Sequence, residues 1–238
     1  MTLVLGLRCG DGIVLCADSQ RTEGTMRDRV PKLFASPAGI LWATAGSIAI
    51  QQELDAGMRT LTVGSHPSAA DGKAAIMAAV REARQRATAS LVDPGLAATS
   101  VHGLFAWFSE GDQTTHLLRV TGGGSAEFHP FFTAIGNGGE LARFALSRSD
   151  YLGLTDLPLD PAQMIAFEAA DDVIRATATG LGPPVQVGVI TERRCAVLPS
   201  PERQALEDTV SVWRERKRAM LVPPERLAPP PSDTGVRP

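Results

Sequence analysis

Hydrophobic positions near the start of the chain come in runs rather than in alternation. Leu3-Val4-Leu5 and Ile13-Val14-Leu15 occupy both parities of an extended segment, so both faces are apolar, as in strands covered on two sides. Leu3 to Cys9 and Ile13 to Ala17 are predicted as strands joined at Gly10-Asp11-Gly12, where Asp-Gly supplies the positive φ of a tight hairpin. The next stretch, Asp18 to Arg29, is polar without alternation and predicts no strand. Lys32 to Ala35 and Ile40 to Ala45 follow, linked by Ser36-Pro37-Ala38-Gly39, so four short strands are expected before any helix.

The period then changes. Ile48, Gln52 or Leu54, and Met58 or Leu61 suit a helix from about Ser47 to Leu61, and Met77, Val80, Ala87 and Leu91 suit a second from Ser68, its N-cap, to about Ser90. Strands return at Val101 to Phe108, His116 to Val120 and Phe131 to Ile135. Two more helices are expected, Glu140 to Ser147 and Pro161 to Ala178, the latter capped by Asp160 with Pro161 at its first position. A last hairpin joins Val185 to Thr191 with Cys195 to Leu198. Strand runs alternating with helix pairs argue for an α+β fold in which antiparallel sheets lie between helices, not for a parallel βαβ sheet. Ser200 then caps a helix with Leu206, Val210 and Trp213 on one face and Arg214, Arg216, Lys217 and Arg218 near its C-terminus. From Val222 to Pro238, six of seventeen residues are proline, which predicts an extended tail. The chain thus divides into residues 1–198, a helix at 199–221 and the tail at 222–238.

Composition narrows the function. The 238 residues carry 23 Lys+Arg against 26 Asp+Glu, a net charge of −3, which speaks against a dedicated nucleic-acid binder. The longest weakly polar run, Leu33 to Ile50, is broken by Ser36, Pro37 and Gly39 before it could span a bilayer, so no membrane segment is expected. Cys9, Cys16 and Cys195 form no C-x-x-C pair, and His66, His102, His116 and His129 lack metal-ligand spacing. Gly122-Gly123-Gly124 and Gly136-Asn137-Gly138-Gly139 lack a phosphate-loop lysine. No metal or cofactor is therefore expected. With no basic leader at the start, a cytoplasmic location is expected.

Four features remain: Thr2, which becomes the first residue if Met1 is excised; Asp18, after the second strand; Lys32, at the start of the third; and Gly46, in Ala43-Thr44-Ala45-Gly46-Ser47. Singly, each is ordinary: a charge at a strand end is usually solvated, and a glycine at a junction usually serves the backbone. Together, Thr2-Leu3-Val4-Leu5-Gly6, Asp11-Gly12-Ile13-Val14-Leu15-Cys16-Ala17-Asp18, Lys32-Leu33-Phe34 and Ala45-Gly46-Ser47 resemble the proteasome β-subunit and related N-terminal nucleophile hydrolases over most of residues 2 to 198. The chain is similar also to bacterial proteasome homologues and to the peptidase subunit of the bacterial two-component ATP-dependent protease.

The resemblance implies a four-layer αββα sandwich, two antiparallel sheets between helix pairs, and a threonine-type peptidase. Thr2 would attack the peptide carbonyl, its own α-amine serving as base, since such amines titrate near ~7.7–8.0. Lys32 would place a positive charge beside Thr2, Asp18 would pair with the ammonium and fix its position, and the Gly46 N–H would donate to the oxyanion. Thr22 would bond an extended substrate backbone, while Val30, Thr44 and Ile48 would line a first specificity pocket for an apolar or neutral side chain. Core packing is the competing account of those three. Asn137 stands where the family has serine between glycines, and could bond the amine but not relay a proton. Arg175-Ala176-Thr177-Ala178-Thr179-Gly180 lacks the family's aspartate and has Thr179 for its serine. Implied partners are a peptide or unfolded protein as substrate, further copies in a hexameric or heptameric ring, single or stacked, and an ATP-dependent unfoldase. A non-proteolytic amidase or acyl transferase with the same nucleophile, and a weakly active structural ring subunit, remain alternatives.

Overall fold

The structure, a computed structural model, describes residues 1–23, 25–61, 67–91, 100–178 and 180–221. The expectations for His66, Thr179 and the tail from Val222 lie outside these. Two five-stranded antiparallel sheets face each other. The first runs β10 (Phe132–Gly136), β1 (Leu3–Arg8), β2 (Ile13–Ala17), β11 (Gln186–Ile190), β12 (Cys195–Val197); the second runs β5 (Leu33–Ala35), β6 (Ile40–Gly46), β7 (Val101–Ser109), β8 (Thr114–Val120), β9 (Ala126–Phe128). Helices α1 (Ile48–Arg59) and α2 (Ala69–Ala89) cover the second sheet, and α3 (Gly139–Ser147) with α4 (Leu159–Ala176) cover the first. This is the expected α+β sandwich of four layers.

The strands with apolar residues at both parities are those buried on both faces. Leu3, Leu5 and Leu7 pack toward α3 and α4, while Val4 packs between the sheets with Leu15, Leu41, Ala43 and Leu117. Full burial of each such side chain stabilises by about 1.5–3 kcal/mol. In the second sheet Ile40 and Trp42 face α1 and α2, whereas Leu41, Ala43 and Ala45 face the first sheet. The helices bury their periodic faces: Ile50, Leu54 and Met58 in α1; Ile76, Val80, Ala83 and Ala87 in α2. Ser47 and Ser68 cap them by accepting from the N–H of Ile50 and Asp71.

Three features correct the sequence expectations. The polar stretch after Asp18 forms a hairpin, β3 (Gln20–Glu23) with β4 (Met26–Arg29), in register Gln20 opposite Arg29. Every residue of β4 is exposed, so no face needed apolar residues and no alternation was written. The short β9 was likewise unmarked. Helix α4 begins at Leu159, not Pro161, and Asp160 is not its cap. The N–H of Leu159 donates instead to Asp11 Oδ2 at 3.2 Å, so a turn far away in sequence supplies the cap.

A fifth helix, α5 (Ser200–Leu221), lies on α4. Val210 is buried in the α3–α4 core and Leu206 packs against it. Arg214, expected only to complement the helix dipole, forms ion pairs with Glu168, Asp171 and Asp172, and Lys217 pairs with Glu168. Among the described residues no helix is long and apolar enough to cross a membrane, and no group of three His, Cys, Asp or Glu could hold a metal.

Candidate functional site

The antiparallel register of β1 and β2, Val4 opposite Ala17, carries the chain so that Asp18 lies against Leu3. Leu3 N–H donates to Asp18 Oδ1 at 2.9 Å, and Asp18 N–H donates to the Leu3 carbonyl at 3.2 Å. Asp18 is fully buried, and its other oxygen accepts from Gln20 N–H at 3.0 Å. Lys32, 6 % exposed, donates from Nζ to Asp18 Oδ1 at 2.7 Å and to the Met1 carbonyl at 3.3 Å. The Met1 carbonyl is the acyl group on the Thr2 nitrogen. A buried ammonium is thus held by Asp18 at the atom where the α-amine of Thr2 would begin. Burial pushes the Lys32 pKa below its usual value, against the opposing pull of Asp18.

Two glycines shape the backbone there. Gly136, opposite Leu3 on β10, has φ +84°, and a Cβ would lie 2.0 Å from the Thr2 carbonyl oxygen. Gly46, at the end of β6, has φ +129°, and a Cβ would lie 2.3 Å from the Ser100 carbonyl oxygen. Neither position admits a side chain without moving backbone.

Thr2, Thr22, Val30, Lys32, Gly46 and Ile48 line one cavity of about 210 Å³. Six of the residues expected from sequence therefore meet, and Asp18 lies beneath them through Lys32. Ile48 is half exposed at the start of α1, and Arg21, also at the wall, is paired with Asp28 at 3.1 Å. Two expected residues stand apart. Thr44 is buried in β6 opposite Gly103, with no hydrogen-bond partner for its hydroxyl among the described residues. It has the parity of Trp42, which points toward α1 and α2. Asn137 is exposed in the turn between β10 and α3 and lines a neighbouring cavity that shares Gly46; among the described residues it has no hydrogen bond to Thr2. Arg175, in the last turn of α4, pairs with Asp171 at 2.7 Å.

One residue of the site carried no signal in the sequence. Gln186, first in β11, accepts at Oε1 from the N–H of Lys32 (2.9 Å) and of Leu33 (3.2 Å). Its Nε2 donates to Ser19 Oγ and to the Val30 carbonyl, both at 2.8 Å. Ser19 Oγ in turn donates to the Pro184 carbonyl. A single amide thus joins the segment bearing Lys32 to the residue after Asp18. Only strand pairing across 154 residues of sequence separation brings these groups together, so no local pattern could announce it.

Among the solved structures that the chain resembles are Anbu proteins from three bacteria. The helical assembly of the Anbu complex from Pseudomonas aeruginosa matches with TM-score 0.68 and 22% identity, covering 97% of this chain and 98% of that one. Anbu, the ancestral β-subunit, from Yersinia bercovieri matches with TM-score 0.69 and 17% identity, covering 92% and 96%. Anbu from Hyphomicrobium sp. strain MC1 matches with TM-score 0.68 and 17% identity, covering 92% and 96%. At these identities the likeness speaks for the fold. No curated protein sequence matches significantly. The family model described as "Proteasome subunit" matches residues 2–180, three quarters of the chain and all of the strands and glycines that surround Thr2, Asp18 and Lys32 except the β11–β12 hairpin. The chain belongs to the proteasome subunit family.

Proposed function

We propose that the protein is a threonine-type peptidase, with Thr2 as nucleophile after removal of Met1. The observation that carries this reading is the Lys32 ammonium, held at 2.7 Å by buried Asp18 and directed at the carbonyl that Met1 places on the Thr2 nitrogen. Without Met1 the same cation stands beside a free α-amine and a hydroxyl. It lowers the pKa of the amine, which then accepts the hydroxyl proton, and it favours the alkoxide as Thr2 attacks the peptide carbonyl. Gly46, in the wall of the same cavity, supplies a backbone N–H to the oxyanion; loss of one such donor typically costs about 2.7–4 kcal/mol. The amine returns its proton to the leaving group, and water hydrolyses the ester.

Thr22 pairs with an extended substrate, and Val30 and Ile48 receive an apolar or neutral side chain on its acyl side. Since the similar Pseudomonas aeruginosa complex forms a helical assembly, this chain too self-associates, either in a closed hexameric or heptameric ring or in an open spiral that fails to close. An unfoldase would deliver folded substrates.

Intact mass and peptide hydrolysis on one preparation test the reading. The expected result is a chain lacking Met1 that cleaves fluorogenic peptides, and a Thr2→Ala variant that does not. Retention of Met1 on an active preparation, or turnover persisting in Thr2→Ala, overturns it.

A further inference from the structure

Beyond Gly46, on the side away from Val30 and Ile48, lies a larger cavity of about 380 Å³. Gly46 and Gly136 form part of its wall, so it adjoins the Thr2 strand directly. Its charged lining is unbalanced: Arg119 and Arg143 against Glu140. Arg119 lies on β8 with the parity of Leu117, whose side chain packs between the sheets, so it points into the cleft at the sheet edge. Its Nε is buried without a hydrogen-bond partner among the described residues. Arg143, on α3, donates from Nη1 to the Ala134 carbonyl at 3.3 Å. Neither guanidinium has an ion pair among the described residues. Glu127 is opposite Arg119 across β8 and β9, but it forms none with it. His129, near both arginines, is held below its usual pKa first by burial and then by Arg119 and Arg143, against the opposing pull of Glu127, and adds no negative group itself. The first turn of α3 enters the cavity through Gly139 and Glu140 with no side chain capping it.

A buried guanidinium nitrogen without an acceptor is costly, and a carboxylate is its best-fitting partner. In the reading above, the acyl part of the substrate occupies the Val30–Ile48 side, so a chain that continues past the oxyanion position at Gly46 enters this second cavity. We propose that it is the leaving-group side of the active site, and that Arg119 and Arg143 select peptides with a carboxylate just after the scissile bond. That carboxylate is either an acidic side chain or the C-terminus of a short product. The inference rests on the threonine-peptidase reading.

The test uses the full chain, freed of Met1, and internally quenched peptides identical before the scissile bond. After the bond they carry Glu, Ala or Lys in the first two positions; a second set ends there as free acid or as amide. The Glu peptides are expected to exceed the Lys peptides in kcat/KM by about tenfold, equivalent to about 1.4 kcal/mol. A similar preference for acid over amide in the second set assigns the C-terminus as a further source, and its absence restricts the site to acidic side chains. Arg143→Gln is expected to bring the Glu-to-Lys ratio near one, Arg143→Glu to invert it, and Arg143→Lys to retain part of it; Arg119→Gln is read in the same ratio. Because each ratio compares two substrates on one preparation, partial misfolding cancels. A parent ratio within about twofold of one in both sets overturns this proposal and leaves the peptidase reading standing. Failure to cleave any peptide by a chain shown to lack Met1 overturns both.

Discussion

Lys32 Nζ lies 2.7 Å from Asp18 Oδ1, with 7 % and 0 % of the two side chains exposed, and is the only described cation on that carboxylate. Desolvating such a pair opposes folding unless every polar atom is met. Asp18 meets this condition with three bonds, to Leu3 N–H, Gln20 N–H and Lys32. Removing one partner is the severe change.

Lys32→Met is therefore expected to cost about 3–5 kcal/mol of stability, because it strands a buried carboxylate. Lys32→Met with Asp18→Asn should recover much of that loss but not peptide hydrolysis. Urea unfolding of the single and double variants, beside the peptide assay, checks this. A single variant as stable as the parent would show that the pair is better solvated than its burial indicates.

The depressed pKa of Lys32 gives two pH effects of defined sign. Between its folded value and the ordinary 10.5, the folded chain binds fewer protons at this group than the unfolded chain, so its contribution to stability rises with pH in that window. Activity moves the other way, since deprotonation removes the cation beside Thr2. The alkaline limb of kcat/KM should fall below pH 10.5 and be missing from any residual activity of Lys32→Met. A profile flat through 10.5 would separate catalysis from Lys32 ionisation.

Gln186→Ala removes four hydrogen bonds that hold Lys32, Leu33, Val30 and Ser19. At about 0.5–1.5 kcal/mol net each, the loss should be about 2–6 kcal/mol, with kcat falling more than tenfold as Lys32 loses its place. Gln186→Glu retains the acceptor but turns an oxygen toward the Val30 carbonyl, and should be nearly as harmful. Unchanged kcat in both variants would confine Gln186 to stability alone.

Glycine substitutions separate the site from the scaffold. Gly136→Ala must place a Cβ 2.0 Å from the Thr2 oxygen at φ +84°, so at least about 1–3 kcal/mol of backbone strain and near-complete loss of hydrolysis are expected. Gly57→Ala, in α1 with open space around its Cβ, should instead stabilise by about 0.5–1 kcal/mol with activity intact. Thermal unfolding and the peptide assay on the two variants would contradict the account if their order were reversed.

The docking of α5 predicts that Arg214→Ala weakens its hold on α4, where Glu168, Asp171 and Asp172 meet the guanidinium. Each pair is partly exposed, so about 1–2 kcal/mol in total is expected, diminishing with salt. Limited proteolysis should cut α5 first in the variant. Equal protection in parent and variant would place the anchoring on Val210 and Leu206 instead.

The doubly apolar runs of β1 and β2, the helix periods of α1 and α2, and the serine caps were written in local sequence, because burial on two faces and a 3.6-residue period leave a residue-by-residue record. Thr2, Thr22, Val30, Lys32, Gly46 and Ile48 left no such record singly; only their joint resemblance to a family pointed to them, and a shared cavity joins them. The β3–β4 hairpin left no such record, because solvent on its faces imposes no pattern. Thr44, which the resemblance placed at the same pocket, is buried in β6 with the parity of Trp42, on the face of the sheet that α1 covers, a placement that only strand alternation decides.

What the chain alone determined was the order and period of its elements and the identity of the groups that could react. What only the tertiary structure decided was which distant polar groups meet. Asp11 caps α4, Gln186 clamps Lys32, and Arg119 and Arg143 face one cavity beside Gly46. Hydrophobic burial is non-directional and can be read from composition along an element, whereas a hydrogen bond or ion pair demands angles and distances that arise only once the sheets are stacked.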